Sequence, residues 1–215
     1  MSTLDIQPII PRNFGWLQLK LPPDVVKHIW KCANKDTSYK NHLVGHIEGS
    51  YKLEDSNNYL FDNVLLECIS KYGNTFGHEH NKPPMDVRAT EIYLHDLWIN
   101  YQNKHEFNPI HNHGGLYSFA AWLKIPTDFE EQNKLSNAEG VTKSPLNSAF
   151  CFQYTNIFGE IKTYTYQLSP TWENTLLFFP SSLQHCVYPF YECDEQRVSI
   201  SGNIMLRVNE NESSN

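Results

Sequence analysis

The sequence predicts a mainly β fold, a double-stranded β-helix (jelly roll) buttressed by N-terminal helices, and three observations carry that reading. Aromatic residues make up 13% of the 215 residues and charged residues only 19%, with 12 Tyr, 12 Phe and 5 Trp, a composition that favours strands over helical bundles. Helical periodicity is confined to the first third of the chain. From Ile92 onward about seven strand-like segments succeed one another with no helical pattern between them, so strands follow helices instead of alternating with them, unlike an α/β fold.

Taken in order, the first 22 residues are proline-rich, with a short extended piece around Trp16-Leu17-Gln18-Leu19. Val25, Val26, Ile29, Trp30 and Ala33 then recur at helical spacing, with Asp24 placed to cap. A second helix carries Phe61, Val64, Leu65, Cys68, Ile69 and Tyr72 on one stripe, with Ser56 or Asn57 as its cap and Gly73-Asn74 as its end. Beyond Pro83-Pro84 the period changes to that of strands: Ile92 to Tyr101, Tyr117 to Ile125, a hairpin of Ala149 to Asn156 and Ile161 to Leu168 around Phe158-Gly159, Thr175 to Phe179, Gln184 to Tyr188, and Arg197 to Arg207. The polar stretch Thr127 to Ser148 is long for a plain connection, a candidate lid or substrate loop or else a tolerated surface insertion. The expected organisation is a helical extension over residues 1–84 packing on a β-core over 85–207, with a disordered tail over 208–215.

The net charge of −7 and a pI near 5.8 argue against a nucleic-acid or acidic-membrane partner, both of which need clustered Lys and Arg. The five cysteines are odd in number and lack CxxC spacing, which reads as reduced thiols of a cytoplasmic protein. No secretory signal or membrane-length apolar run is seen.

The chemistry concentrates in Asn108-Pro109-Ile110-His111-Asn112-His113-Gly114-Gly115. On an extended strand, residues two apart share a face, so His111 and His113 aim two imidazoles at one point. A mononuclear non-haem iron site needs three protein ligands on one side of the metal, and His185 supplies the third. Arg197 and Ser199, again two apart, are placed to hold an anion beside it, Arg for its planar two-pronged match to a carboxylate. A His-x-His pair alone would be read as ordinary polar strand residues; the argument rests on all three pieces occurring in order.

That order resembles the iron(II)- and 2-oxoglutarate-dependent oxygenases, especially the prolyl-4-hydroxylase-like branch and oxygenases of cyanobacterial phages, over roughly residues 85–207. There a His-x-Asp or His-x-Glu strand precedes a second His, and an Arg, in some branches Arg-x-Ser, binds the distal carboxylate of 2-oxoglutarate. Here His185 follows His111 by 74 residues and Arg197-Val198-Ser199 begins 12 residues later. The resemblance implies Fe(II) held by His111, His113 and His185, and 2-oxoglutarate paired with Arg197 and Ser199. Asn100 and Tyr101 are further candidates for the co-substrate pocket, and Tyr93, His95, Tyr117, Ser118 and Trp122 are nearby strand residues. The implied reaction couples dioxygen and decarboxylation of 2-oxoglutarate to succinate and CO2 with hydroxylation of an unactivated C–H bond in a peptidyl or small-molecule substrate.

His113 departs from the pattern, because the family usually has Asp or Glu there. Either the three histidines form an all-imidazole triad, or His113 leaves an open position for water or halide, or a carboxylate arrives from elsewhere. The first is preferred. His46-Ile47-Glu48 and His78-Glu79-His80 lie outside the strands and read as unrelated. Two other classes remain in view: a three-histidine cupin-type dioxygenase without 2-oxoglutarate, which leaves Arg197 and Ser199 without a role, and a non-catalytic jelly-roll binding module.

Overall fold

The computed structural model describes residues 7–9, 14–77, 89–138 and 146–208. The His78-Glu79-His80 and Pro83-Pro84 segments, and the tail beyond Val208, lie outside the described residues.

The first elements are β1 (Leu17–Lys20) and α1 (Pro23–Cys32). Pro23 begins α1, where a missing amide proton costs nothing. Asp24 does not cap the helix; it sits within the first turn and accepts a hydrogen bond from the Tyr59 hydroxyl at 2.8 Å. The second helix is likewise started by neither Ser56 nor Asn57. Asp55 accepts from the amides of Leu60 and Phe61 at 2.9 Å each, while Asn57 and Asn58 turn the chain with φ of 59° and 53°. Wider π-type turns over Phe61–Leu65 lead into α2 (Leu66–Phe76). This helix runs past Gly73 because Phe76 extends its apolar stripe, packing 4.9 Å from Tyr72, and it ends at Gly77 with φ 84°.

The remaining elements are β2 (Gly49–Lys52), β3 (Ala89–Gln102), β4 (Asn108–His111), β5 (Tyr117–Lys124), α3 (Phe129–Gln132), β6 (Phe150–Thr155), β7 (Ile161–Tyr166), β8 (Thr175–Pro180), β9 (Gln184–Val187) and β10 (Arg197–Val208). They form a six-stranded sheet in the order β1-β8-β5-β10-β3-β2 and a four-stranded sheet in the order β4-β9-β6-β7, with every pairing antiparallel. The expected jelly roll is thus present, and the N-terminal third adds both edge strands of the larger sheet as well as helices.

Strand alternation decides what each face of the larger sheet does. Val198, Ile200 and Ile204 of β10, Leu97 and Ile99 of β3, and Tyr117 and Phe119 of β5 share one core with Val25, Ile29, Leu60, Val64, Leu65, Ile69 and Tyr72 of the helices. The opposite face meets the smaller sheet, where Ala120, Trp122, Leu177 and Phe179 pack against Phe150 and Phe152. Between these aromatic residues lies a polar lane, and the site is built there. Alternation puts Asp96 on the same face as Trp98, and a bulge at His95, where Asn203 pairs with Asp96 but Ile204 with Leu94, brings Leu94 to the helix-packed face of Leu97.

The ends of the Thr127 to Ser148 segment are anchored. Asp128 caps α3 through the amides of Glu130 and Glu131, Gln132 bonds the backbone of Tyr191 in both directions, and the Thr127 and Ser148 hydroxyls are 3.1 Å apart. Residues 139–145 are outside the described part.

Candidate metal centre

His111 and His185 are directly opposite one another on β4 and β9, with ring centroids 4.3 Å apart. His113 lies just past the end of β4, in the turn before β5, so strand geometry alone does not aim it. The turn is pinned to the neighbouring β8–β9 turn: the His113 amide donates to the Ser181 carbonyl at 2.8 Å, and the Ser181 amide to Leu116 O at 3.2 Å. Gly115 adopts φ 106°, and a Cβ there would lie 2.8 Å from the Ile204 carbonyl, so the close passage of this turn requires glycine. The result brings the three predicted imidazoles together, with all ligand atoms within 4.8 Å of one another.

Their protonation suits ligation. His111 Nδ1 is 2.7 Å from Pro109 O and His185 Nδ1 is 2.9 Å from Leu183 O. A carbonyl only accepts, so both Nδ1 atoms carry the proton and both Nε2 lone pairs are left to face a metal. His113 Nε2 lies 3.2 Å from His185 Nε2; two ligands at about 2.1 Å from one ion and at right angles are about 3.0 Å apart. Burial, reinforced by the other imidazoles, pushes His185 down to about 3 and His113 down to about 4 from the ordinary 6.5, and burial lowers His111 as well. All three are therefore neutral at pH 7, the form that binds metals. No carboxylate belongs to the group among the described residues.

A narrow cavity of about 40 Å³ adjoins the histidines between the sheets. Asn100, Trp122 and Ser199 line it, together with Trp98, Gln102, Ser201, Phe150 and Val187. Ile47 also reaches it, although its neighbours His46 and Glu48 are exposed and Glu48 pairs with Lys40. A larger open groove of about 590 Å³, beside Trp16, Tyr154 and Leu183, is lined by none of the histidines.

Arg197 sits on the same face as Ser199, at 1% exposure. Its guanidinium donates to Ser148 O at 3.3 Å, to the Ser148 hydroxyl and to Gln102 Oε1 at 3.4 Å, and stacks 5.0 Å from the Phe190 ring. Its Nε is buried without a partner, and among the described residues no carboxylate pairs with it. Burial pushes it down to about 9 from 12.5. A fully buried cation with an orphaned donor fits an anionic ligand, and three neutral imidazoles fit a divalent ion.

Tyr101 is not part of this cluster. As the neighbour of Asn100 it points to the opposite face, against Tyr51 and under the Lys35 ammonium, 4.2 Å from its ring centroid. Tyr117 likewise faces the helices, while Tyr93 carries the Arg207 guanidinium and His95 is exposed. Cys186, the strand neighbour of His185, points away from the histidines and is half-buried opposite Cys151, and all five cysteines are free thiols. Sequence reasoning missed Trp98 and Gln102, which alternate with Asn100 along β3 and were recoverable from that period. It also missed Ser148, whose approach to Arg197 is set by the tertiary fold alone.

Three converging imidazoles between the sheets of a jelly roll fit a mononuclear metal centre. Residues 96–203, half of the chain, match the family described as "Putative 2OG-Fe(II) oxygenase", and the chain belongs to that family. It is accordingly a 2-oxoglutarate-dependent oxygenase, with Fe(II) as metal and 2-oxoglutarate and dioxygen as co-substrates. Among solved structures it is similar to a prolyl hydroxylase of Trichoplax adhaerens in complex with a hypoxia-inducible-factor peptide fragment, at 12% identity and a TM-score of 0.50 over 89% of this chain and 83% of that one. A Pseudomonas putida prolyl-4-hydroxylase aligns at 14% identity and TM-score 0.49 over 91% and 94%. A Burkholderia pseudomallei 2OG-Fe(II) oxygenase aligns at 16% and 0.42 over 69% of this chain and 55% of that one, so the match spans about half of its length. No curated protein matches the chain. No helix among the described residues is long and apolar enough to cross a membrane.

Proposed function

We propose that the chain hydroxylates an unactivated C–H bond, with His111, His113 and His185 holding Fe(II) and Arg197 with Ser199 holding the distal carboxylate of 2-oxoglutarate. The observation that carries this reading is the buried Arg197, with no counter-ion among the described residues, on the same inter-sheet face as the cavity beside three neutral imidazoles. With its co-substrates the iron supplies oxidation of the C–H bond, with release of succinate and CO2.

The chain's own residues bind, orient and shield. The backbone carbonyls of Pro109 and Leu183 fix the tautomers of His111 and His185. Ser199 offers a hydroxyl beside Arg197, and Asn100, whose Oδ1 accepts from the Ser50 hydroxyl at 2.7 Å, presents a fixed amide to the cavity. Trp122, Phe150 and Phe179 exclude water around the reacting atoms, which strengthens every charge interaction there. Seating a five-carbon diacid requires the cavity walls to move outward, and Trp122 and Phe150, packed at 5.2 Å, are the bulkiest of them.

The substrate class proposed for first trial is a peptidyl residue, by analogy with the peptide bound to the Trichoplax relative, with small molecules second. Five free thiols fit a reducing, cytoplasmic setting. The test is anaerobic titration with Fe(II) and 2-oxoglutarate, following the visible charge-transfer band of the chelate, then succinate release on admitting oxygen. A band in wild type that is lost in Arg197→Ala is expected. A protein that binds Fe(II) but gives the same band with and without Arg197 would overturn the co-substrate assignment.

A further inference from the structure

Three neutral imidazoles bring no negative charge to a divalent ion, so in this site the charge has to be balanced from outside the ligand set. The carboxylate of Asp96 faces the same side of the larger sheet as the site. Asp96 lies two residues from Trp98, whose ring centroid is 5.9 Å from that of His113, and strand alternation places both on the inner face.

Both oxygens of Asp96 are fixed. The Tyr39 hydroxyl donates to Oδ1 at 2.5 Å and Asn203 Nδ2 donates to Oδ2 at 3.3 Å. The Ser118 hydroxyl bridges Asn203 Oδ1 at 2.8 Å and Ser181 Oγ at 2.9 Å, and the Ser181 carbonyl receives the His113 amide. The Asp96 carboxylate and the main chain of His113 thus belong to one hydrogen-bonded frame, most of it buried.

Resting on the iron-binding reading above, we propose that Asp96 is a positioning residue that supplies the metal site's negative charge from just beyond the ligands, held there by the frame that also holds the main chain of His113. It does not ligate, since the converging set contains only the three histidines and both Asp96 oxygens are engaged elsewhere. The substitution of a histidine for a carboxylate ligand is thereby compensated within the chain.

The test measures Fe(II) dissociation constants of the full chain under anaerobic conditions, by competition with a chromophoric chelator, for wild type, Asp96→Asn, His113→Asp and the double variant, with Tyr39→Phe as a milder probe. Asp96→Asn is expected to weaken Fe(II) about 10- to 100-fold. In the His113→Asp background, where the ligand itself carries the charge, the same change is expected to cost less than about threefold. Tyr39→Phe removes one hydrogen bond and keeps the charge, so it should stay within about threefold of wild type. Unchanged affinity in Asp96→Asn overturns the proposal. An equal loss in both backgrounds, or a loss in Tyr39→Phe as large as in Asp96→Asn, assigns the residue to the frame alone and overturns it too. If wild type itself binds no Fe(II), the iron reading fails first and this inference falls with it.

Discussion

Replacing Arg197 by methionine separates a ligand-binding guanidinium from a structural one. In the protein without anion the group is fully buried and held near 9 instead of 12.5, a burden on the order of 5 kcal/mol if read directly from the shift. Methionine fills the aliphatic part of the space and removes that burden, but leaves the Ser148 carbonyl, the Ser148 hydroxyl and Gln102 Oε1 short of a donor, at about 1–3 kcal/mol each. Together those losses of about 3–9 kcal/mol offset the relieved burden, so the unfolding free energy should change by between about 2 kcal/mol of gain and about 4 kcal/mol of loss. Co-substrate binding should not be spared: truncating one partner of a desolvated charge pair costs about 2–5 kcal/mol, roughly 30- to 3,000-fold in affinity. Thermal unfolding with Mn(II) as a redox-silent metal reads both effects. At about 100 times the dissociation constant, 2-oxoglutarate adds about 2.7 kcal/mol to wild type, or about 5–10 °C in a chain of this length. In Arg197→Met at the same concentration at most about a third of that shift should remain. An undiminished shift would refute the assignment of Arg197 to the co-substrate.

Further outcomes follow from the same geometry. His111→Ala and His185→Ala should each abolish stoichiometric Fe(II) binding measured anaerobically by metal analysis after gel filtration, whereas His113→Asp should retain it, since Asp is also a ligand of the facial-triad kind. In metal-free protein, stability should fall as pH drops below 6.5, because the unfolded chain takes up protons that His113 and His185, held near 4 and 3, refuse. Between pH 6.5 and 5 this amounts to about 1.7 kcal/mol for each of these two, and His111 is lowered as well, so His185→Leu should remove about a third to a half of the decline in urea midpoint, and an unchanged profile would count against the neutral triad. Gly202→Ala would place a Cβ 2.6 Å from Asp96 O and 2.7 Å from the Phe119 ring, and should cost about 1–3 kcal/mol by urea titration.

How much of this was legible beforehand depended on whether the information was local. His111, His185 and Arg197 were readable because each lies on a strand whose alternation fixes its face, and Ser199 follows Arg197 at the same period. Asn100 and Tyr101 could not both face one cavity, since adjacent strand residues point to opposite sides; Asn100 faces it and Tyr101, half-buried, packs edge-on against Tyr51. His113 reaches the others through a turn pinned to Ser181, an interaction spanning most of the core in sequence and invisible to pattern reading. The caps failed for a related reason: Asp24 was the right residue type, but Pro22 and Pro23 set the start of the helix and left its carboxylate for Tyr59. β2 carries only four residues with little alternation to announce it, yet it closes one edge of the larger sheet.

The position of β10 has a consequence for how the protein is made. It is the last strand described along the chain, yet it sits in the middle of the larger sheet, between β5 and β3, and is the only strand joining β1-β8-β5 to β3-β2. During synthesis the other described elements leave the ribosome first, and the two partial sheets have no shared partner until Arg197 to Val208 emerges and inserts between them. Assembly of the inter-sheet cavity is therefore a late, non-local event, of the kind that makes β-rich chains slow to fold. A nascent chain stalled before residue 197 would carry all three histidines but lack both Arg197 and the Asn203 amide that joins Asp96 to Ser118.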